Sequence, residues 1–437
     1  MRNVKSNNSQ FEESIFKLIN KYQFIKYENS FGVAVSGGPD SMLLLHILSK
    51  WANLKKKNLS IFSFNHNIRK DSYKDLMLVE AFTKKLGHEI IKINWHETPN
   101  TGIMEKARIA RYSLIAEHCK NHKIKTIFLG HHADDIAETV SIRLLKKSSL
   151  EGLCPIFEIR ELFRIKLFRP FLKINKEQIL NLNSIHNINY INDPSNSNKK
   201  YLRSRIRSLL QEDKQLKTNL TKASYLFCKI RKYNDKFIKT KFKEFYTFKE
   251  EGFLIIDRLI LNKYPNFLII TFLKNSIFRI GGKTYFSKPE KLNDLYNKAL
   301  NKIIFKISLG GCILEFKERY IYIFREYKYI ENKIAILKEN CKINWDNRFN
   351  ITNNSKLEFK VLPIGKVLNN TFYLKNFRLN KKKIKLIPFR ARKTLPVIIA
   401  LEGSIHIPHL NISELNLTKN SIECQTIDFF DKKYDNI

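Results

Sequence analysis

The chain has 437 residues and carries 79 basic against 41 acidic side chains, a formal net charge of +38. The length predicts roughly three domains, and the charge favours a polyanionic partner such as nucleic acid, although a codon bias toward lysine would also raise it. No apolar run approaches the roughly 20 residues of a membrane span. The N-terminus lacks a secretory apolar core, so we expect a cytoplasmic protein with no membrane partner. The six cysteines show no C-x-x-C spacing, which argues against a zinc knuckle or a redox dithiol.

Helices and strands alternate over the first part of the chain. The hydrophobic pattern predicts strands at 31–35, 59–64, 89–93 and 126–129, and helices near 10–22, 39–51, 72–87, 103–122 and from 134. This alternation predicts βαβ units, and hence an α/β fold with a doubly wound parallel sheet. Ligands of such sheets bind at the carboxyl ends of the strands, beside the point where the strand order reverses.

The pattern is looser in the rest of the chain. It predicts helices near 175–187 and from Tyr201, a Lys-rich helical stretch at 214–245, a small β-meander within 303–324 and a hairpin joining 396–401 to 404–407. Residues 338–355 read as a polar linker. A strip at 375–393 holds nine Lys or Arg and no acidic residue, interleaved with Phe377 and Phe389. Such a strip can track an RNA backbone and stack bases, although a solvated Lys-rich surface is the alternative.

The first predicted strand ends in a glycine-rich turn, Ser36-Gly-Gly-Pro-Asp-Ser41. A helix begins there, so backbone N–H groups and small hydroxyls would surround one point, which suits a phosphate. Gly37 and Gly38 permit left-handed backbone angles and close approach of a ligand. The common loop G-x-x-x-x-G-K-[ST] is absent here, because no lysine follows the second glycine. An ordinary strand–turn–helix corner is the alternative.

Carboxylates are concentrated at the helix that follows the fourth predicted strand. Asp134 and Glu138 are four residues apart and Asp135 and Glu138 are three apart, so all three can point to one side of the helix start. Beside a phosphate they could hold Mg²⁺ or a substrate ammonium group. The alternative is a solvated acidic helix start favoured by the helix dipole.

Two histidine segments and one arginine complete the candidate site. The segments around His66 and His131 follow the second and fourth predicted strands, so they reach the same sheet edge as the glycine turn. Arg108 shares a helix face with Glu105 and Tyr112, and arginine suits bidentate phosphate contacts. Surface ion pairs are the alternative for Arg108. Together these segments predict one site.

Six motifs in order over residues 31–207 resemble the tRNA(Ile)-lysidine synthetases of the PP-loop ATP-pyrophosphatase superfamily. They are SGGPDS (36–41), NHNIR (65–69), EKARIARY (105–112), GHHADDIAET (130–139), RPFL (169–172) and YINDPSNSNKKYLRSRIR (190–207). The resemblance is weaker beyond residue 250, although 375–407 looks like that family's C-terminal domain. It departs from the family at Asn67, at Ser204 and in the loop 146–153.

The resemblance implies a reaction and an architecture. Such enzymes use ATP to adenylate the ring carbonyl oxygen of the wobble cytidine in an isoleucine tRNA with a CAU anticodon, and the ε-amine of free L-lysine then displaces AMP. The fold would be adenine nucleotide alpha-hydrolase-like, with a helical linker and two smaller α+β domains. The expected domains are 1–213 (catalytic), 214–345 (helical connection and small α+β domain) and 346–437 (basic, tRNA-binding). A homodimer is compatible with the resemblance.

The resemblance also assigns expected roles. Asp40, Asp134, Asp135, Glu138 and Arg108 would be catalytic, Mg²⁺ would be bound by Asp40 and Asp134, and Asp135 is the first choice for the substrate lysine. Arg203, Arg205 and Arg207 would face nucleotide or tRNA. The residues expected to bind ATP are Ser36, Gly37, Gly38, Pro39, Asp40, Ser41, His66, Arg108, His131 and Arg205.

Three rivals differ in what they require. A tRNA thiolase shares the glycine turn, but those thiolases that mount sulfur or an iron–sulfur cluster on cysteines need paired thiols. A small-molecule amidating ligase of the same superfamily would not need a charge of +38. A catalytically silent RNA-binding protein would need neither the glycine turn nor the acidic helix start.

Overall fold

The computed structural model describes residues 2–65, 72–95, 103–148, 150–154, 156–163, 165–192, 202–282, 290–368, 387–410, 412–413, 415 and 421–427. The chain divides into two compact units, Met1–Arg231 and Lys232–Ile437. Within these described ranges no helix combines the length and apolar character needed to cross a membrane.

The first unit alternates helices with short strands. Its strands are β1 Ser30–Ala34, β2 Asn58–Asn65, β3 Ile90–Asn94, β4 Thr126–Phe128, β5 Ile159–Leu162 and β6 Ile165–Phe168. Its helices are α1 Arg2–Asn20, α2 Gln23–Tyr27, α3 Pro39–Lys55, α4 Ser72–Lys85, α5 Ile103–Asn121, α6 Ala133–Leu145, α7 Leu150–Leu153, α8 Lys176–Ile185 and α9 Leu202–Glu212, followed by α10 Lys214–Lys241, which continues past the end of the unit.

The strands form one sheet in the order β3-β2-β1-β4-β6-β5, parallel except for β5. The order reverses between β1 and β4, which pair through Gly32 with Ile127 and Val33 with Phe128. This confirms the predicted α/β class and the doubly wound parallel sheet. The glycine turn follows β1 and the His131 segment follows β4, so both lie at the switch point where such sheets bind ligands.

Neighbouring residues of one strand enter different cores, as the two-residue period of a strand requires. Phe128 packs with Phe31, Trp51 and the apolar face of α3. Ile127 packs in a second cluster with Ile115 on α5. Burying each such side chain contributes about 1.5–3 kcal/mol. Both faces of the sheet are therefore covered, which leaves the carboxyl ends of β1 and β4 as the place for polar chemistry.

In its described residues, the second unit contains three antiparallel sheets. Their strand orders are β7-β8-β11-β10-β9, β12-β15-β16-β17-β18 and β13-β14-β19. The strands are β7 Tyr246–Phe248, β8 Leu254–Asp257, β9 Phe305–Leu309, β10 Cys312–Phe316, β11 Tyr320–Arg325, β12 Ala335–Leu337, β13 Lys342–Trp345, β14 Phe349–Asn353, β15 Phe359–Pro363, β16 Pro396–Ile399, β17 Ile405–Ile407, β18 Ile412–Ser413 and β19 Ile422–Thr426. The helices are α11 Ile260–Lys263, α12 Asn266–Gly281, α13 Glu290–Asn301, α14 Ile364–Leu368 and α15 Phe389–Arg392.

The structure confirms two predictions for this unit and corrects one. The meander is β9–β11, and the hairpin is β16–β17, with Ile398 opposite His406. The polar linker predicted at 338–355 is wrong, because β13 and β14 pair there and Trp345 and Phe349 are fully buried. Polar residues alternate with apolar ones in both strands, and this half-buried pattern resembles a linker in composition. Most of the basic strip, 375–386, lies outside the described residues.

Candidate active site

The glycine turn is held in shape by its own hydroxyls. The backbone N–H of Ser36 donates to Ser41 Oγ at 3.1 Å, and Ser41 Oγ donates to the Gly38 carbonyl at 3.0 Å. The two serine hydroxyls are 3.2 Å apart. Gly38 caps α3 and Pro39 is its first residue, where a missing N–H costs nothing. The turn thus presents the N-terminus of a long helix at the end of β1, an arrangement suited to an anion.

Two glycines allow the backbone segments of the site to approach one another. Gly37 has φ +83°, and its carbonyl accepts the Ile191 N–H at 2.9 Å. A Cβ on Gly130, which follows β4, would lie 3.0 Å from the backbone carbonyl carbon of Asp40. Glycine at 130 therefore lets the loop after β4 pack against the start of α3, and the two sequence motifs become one site.

His132 lies between three carboxylates. Its Nε2 atom is 3.6 Å from Asp40 Oδ1 and 3.6 Å from Asp135 Oδ2, and its Nδ1 is 4.0 Å from Asp134 Oδ1. The His132 ring is buried, and its backbone N–H donates to Asp135 Oδ2 at 3.0 Å. Residues from the starts of α3 and α6 therefore surround one imidazole.

Two arginines of α9 bind the carboxylates of α6. Arg203 donates through Nε to Glu138 Oε2 at 2.6 Å and through Nη2 to Asp135 Oδ1 at 2.8 Å. Arg207, one turn further along, donates through Nε to Glu138 Oε1 at 2.6 Å. Glu138 is 2% exposed, so its charge is compensated by these arginines rather than by water. These two arginines share a helix face because they are four residues apart.

Two lysines, which the sequence did not single out, bind the other two carboxylates. Lys176, the first residue of α8, places Nζ 2.5 Å from Asp40 Oδ1. Lys217 on α10 places Nζ 2.7 Å from Asp134 Oδ2, and the Lys176 backbone N–H donates to Asp134 Oδ1 at 3.3 Å. All four carboxylates therefore already attract cations.

The electrostatics favour the charged forms of the paired groups. Burial alone raises the pKa of a carboxyl, but the charges of His132, His131 and Arg203 outweigh it and hold the pKa of Asp135 below its ordinary value. Burial likewise disfavours the charged guanidinium of Arg207, but the Glu138 hydrogen bond and the nearby carboxylates raise the pKa of Arg207. Asp135 is thus better suited to hold a cation than to accept a proton.

The structure brings together most of the predicted residues but not all of them. Asp40, Asp134, Asp135 and Glu138 converge, and His131 lies close enough to lower the pKa of Asp135. His66 and the side chain of Arg108 lie outside the described residues. Arg205 is exposed on α9, two residues from Arg203 and therefore on another side of the helix. Its assignment to ATP stays a prediction, and its exposed position favours the other expected role, a contact with tRNA.

The donor set at this site fits a hard divalent cation. Asp40 and Asp134 offer carboxylate oxygens on either side of His132, and oxygen is the ligand that Mg²⁺ prefers in proteins. The ammonium groups of Lys176 and Lys217 already sit on one oxygen of each carboxylate. A magnesium ion would compete with these lysines, and their long side chains can turn outward.

Known proteins match this sequence over the residues that form the candidate site. The sequence profile of the PP-loop domain matches residues 7–213. A tRNA(Ile)-lysidine synthase of Wolbachia pipientis wMel is 29% identical, covering 91% of this chain and 93% of the relative. That of Orientia tsutsugamushi is 28% identical, covering 86% and 88%. The chain therefore contains a PP-loop domain and is similar over about nine-tenths of its length to tRNA(Ile)-lysidine synthases. It is therefore an enzyme of the ligase type, with an ATP-binding domain that holds the glycine turn and the acidic helix start.

One solved structure resembles about half of the chain. The U34-tRNA thiolase NcsA from Methanococcus maripaludis, solved with its [4Fe-4S] cluster, is 16% identical with a TM-score of 0.43, covering 50% of this chain and 79% of that one. A likeness at this level does not bear on activity.

Proposed function

We propose that this protein ligates free L-lysine to the wobble cytidine of an isoleucine tRNA with a CAU anticodon, using ATP and releasing AMP and pyrophosphate. The observation that carries the proposal is the junction of an anion-binding glycine turn with four carboxylates at one switch point. The relatives over nine-tenths of the chain are named tRNA(Ile)-lysidine synthases, which supports the choice of tRNA and of lysine.

The first half-reaction needs positive charge near phosphate. The ring carbonyl oxygen of cytidine attacks the α-phosphorus of ATP, the bond to the β-phosphate oxygen breaks, and pyrophosphate leaves. The N-terminus of α3 and the hydroxyls of Ser36 and Ser41 would hold the phosphates. Magnesium bound by Asp40 and Asp134 would supply charge that stabilises the leaving pyrophosphate. Lys176, released from Asp40, is near enough to contribute a further positive charge.

The second half-reaction needs a bound lysine. Its ε-amine, in the neutral form, attacks the ring carbon that carries the adenylate, the bond to the adenylate oxygen breaks, AMP leaves, and the proton that the nitrogen loses passes to water or to a neighbouring carboxylate. Asp135 and Glu138 would bind the α-ammonium group of the substrate, because the low pKa of Asp135 keeps it charged. Arg203 now pairs with both carboxylates and is 47% exposed, so it is the cation that a substrate ammonium would displace.

The remaining proposals concern partners and organisation. We propose that the basic C-terminal part binds tRNA, that the three predicted domains (1–213, 214–345 and 346–437) are functional divisions, and that the protein works in the cytoplasm. A homodimer is a further proposal of the same kind. The net charge of +38 supports a nucleic-acid partner.

The test uses purified protein, ATP, Mg²⁺ and labelled lysine with a transcript of the isoleucine tRNA bearing CAU. A parallel reaction contains the initiator tRNA with the same anticodon. We expect label in the isoleucine tRNA alone, and its loss in Asp40→Ala. Glu177→Gln is the matched control, because in the part of the chain that the structure describes Glu177 pairs with Lys214 and both side chains are exposed.

The other outcomes reassign the chemistry. AMP formed in response to tRNA without incorporation of lysine would keep the adenylation step and require another nucleophile. Absence of both products would contradict the enzyme and leave a protein that binds RNA.

A further inference from the structure

Three potential metal ligands converge away from the active site. Glu12 on α1, His46 on α3 and His186 at the end of α8 bring one ligand atom each within 4.8 Å of one another. Glu12 Oε1 is 3.4 Å from His186 Nε2 and 3.9 Å from His46 Nε2. His46 lies six residues beyond Asp40, which is about 9 Å along α3. His186 is likewise at the far end of α8 from Lys176. The cluster is therefore separate from the active site.

The two imidazoles are arranged so that both Nε2 atoms could bind one metal ion. Among the described residues, no hydrogen-bond partner reaches the buried Nε2 atom of either ring. The ring centroids are 4.7 Å apart, and both Nε2 atoms lie within 3.9 Å of the same carboxylate oxygen, Glu12 Oε1. Burial and the charge of Lys50 lower the pKa of His46 to about 4 and also lower the pKa of His186. A metal ion binds imidazole in its neutral form, through a ring nitrogen that has no other hydrogen-bond partner.

A purely structural explanation accounts for only part of the cluster. Lys50 donates from Nζ to Glu12 Oε1 at 2.7 Å, which explains the position of the carboxylate. That ion pair leaves two buried imidazole nitrogens without hydrogen bonds, and such orphaned polar atoms call for an explanation. The Lys50 side chain is 41% exposed, so it can swing into solvent.

We propose that Glu12, His46 and His186 bind one divalent transition-metal ion of the zinc class. Two imidazoles and a carboxylate form a common zinc ligand set, with water in the fourth position. Ligands about 2.0–2.1 Å from zinc at tetrahedral angles lie roughly 3.3 Å apart. Glu12 Oε1 lies 3.4 and 3.9 Å from the two imidazole nitrogens, and all three ligand atoms lie within 4.8 Å of one another, so side-chain rotations would bring them to this spacing. The ion would tie α1 to α3 and α8.

The experiment measures zinc bound by the full chain without an affinity tag. Equilibrium dialysis in excess Mg²⁺, which saturates hard oxygen sites, compares wild type with His46→Gln/His186→Gln and with the exposed-histidine control His122→Gln. We expect one zinc more in wild type and in the control than in the double variant. Co²⁺ should give the visible absorption of a tetrahedral site in the same two proteins. Zinc should also raise the thermal unfolding temperature of wild type, because a ligand of the native state stabilises it.

Lys50→Gln should strengthen zinc binding, whereas the histidine substitutions should weaken it. It removes the cation that competes for Glu12, so the Kd for zinc should fall by about tenfold. The single variants His46→Gln and His186→Gln serve if the double variant does not fold. Equal zinc in wild type and in the histidine variants would overturn the proposal, as would weaker zinc binding by Lys50→Gln.

Discussion

Each compact unit contains a cluster of carboxylates paired with cationic side chains. The two clusters differ in the exposed fraction of the cations and in the number of hydrogen bonds that each cation donates. In the second unit Asp346 accepts from Arg325 and Arg348, and all three side chains are at most 7% exposed. Arg325 also donates to the Gly281 carbonyl, and Arg348 donates to the Thr394 carbonyl. In the first unit the four cations at the carboxylates are 23–47% exposed.

The difference separates a cluster that holds a fold from one that can receive a ligand. Arg325 and Arg348 are buried and already donate to backbone carbonyls, which leaves little room for another partner. Removing Asp346 would leave two buried positive charges without a counter-charge, which is strongly destabilising. Partly exposed lysines and arginines gain little stability from their pairs, because water competes for them. They can leave at small cost when magnesium, phosphate or an ammonium group arrives. We therefore expect the same pairing of charges to have opposite roles in the two units.

The largest expected effect follows from Asp346→Asn. The variant keeps the shape of the side chain but leaves Arg325 and Arg348 without their counter-charge, so we expect the free energy of unfolding to fall by about 3–5 kcal/mol. Hydrogen exchange of β13 and β14, together with urea unfolding, would measure it. Glu244→Gln breaks an exposed pair with Lys263 and should cost less than about 0.5 kcal/mol. Similar losses in both variants would contradict the comparison.

The difference in stability between wild type and Asp346→Asn should depend on pH. Burial raises the pKa of Asp346, but the two arginines outweigh burial and the pKa lies below its ordinary value of 3.8. Its stabilising contribution is therefore fully present above about pH 3.8 and is lost as the pH falls through the folded-state pKa. The difference in unfolding free energy between wild type and Asp346→Asn should narrow as the pH falls below this value. A constant difference would mean that the stability lost in Asp346→Asn does not come from the ionised carboxylate.

The next effect is on activity rather than on stability. Asp135→Asn removes the charge proposed to hold the lysine ammonium, and we expect lysine transfer to fall by about 10²–10³-fold. AMP formation in response to tRNA should fall less than tenfold, because Asp40 and the glycine turn are intact. Unfolding should shift by only about 1–2 kcal/mol, from the lost hydrogen bonds to His132 and Arg203. Equal losses of AMP formation and lysine transfer would assign Asp135 to adenylation instead.

Much of the site could be predicted from sequence because its parts are local. The glycine turn is one continuous segment, and the spacing of Asp135 and Glu138 on a helix places them on one side. Alternation of strands and helices then brings both segments to one edge of a sheet. Lys176 and Lys217 could not be found in this way, because each is one of 79 basic residues and reaches its carboxylate through the packing of α8 and α10.

A smaller expected effect tests whether magnesium can displace Lys176 from Asp40. Lys176 and magnesium would compete for the same carboxylate oxygen of Asp40, so Lys176→Met should lower the Mg²⁺ concentration that gives half-maximal activity by about three- to tenfold. Lys214→Met is the matched control, because its pair with Glu177 is exposed and away from Asp40. A higher magnesium requirement in Lys176→Met would mean that Lys176 acts chiefly on phosphate.

The smallest expected effect on binding is that of Arg205→Ala. It tests whether the side of α9 that carries Arg205 differs in function from the side that carries Arg203 and Arg207. Arg203 and Arg207 face the carboxylates, whereas Arg205 is exposed and points elsewhere. We expect Arg205→Ala to leave the KM for ATP within about twofold and to weaken tRNA binding modestly, because a surface arginine that contacts one phosphate releases about one counterion. The slope of log Kd against log salt concentration should fall by about 0.7–0.9. A KM for ATP raised tenfold with an unchanged salt slope would instead place Arg205 at the nucleotide, and would mean that α9 turns when ATP binds.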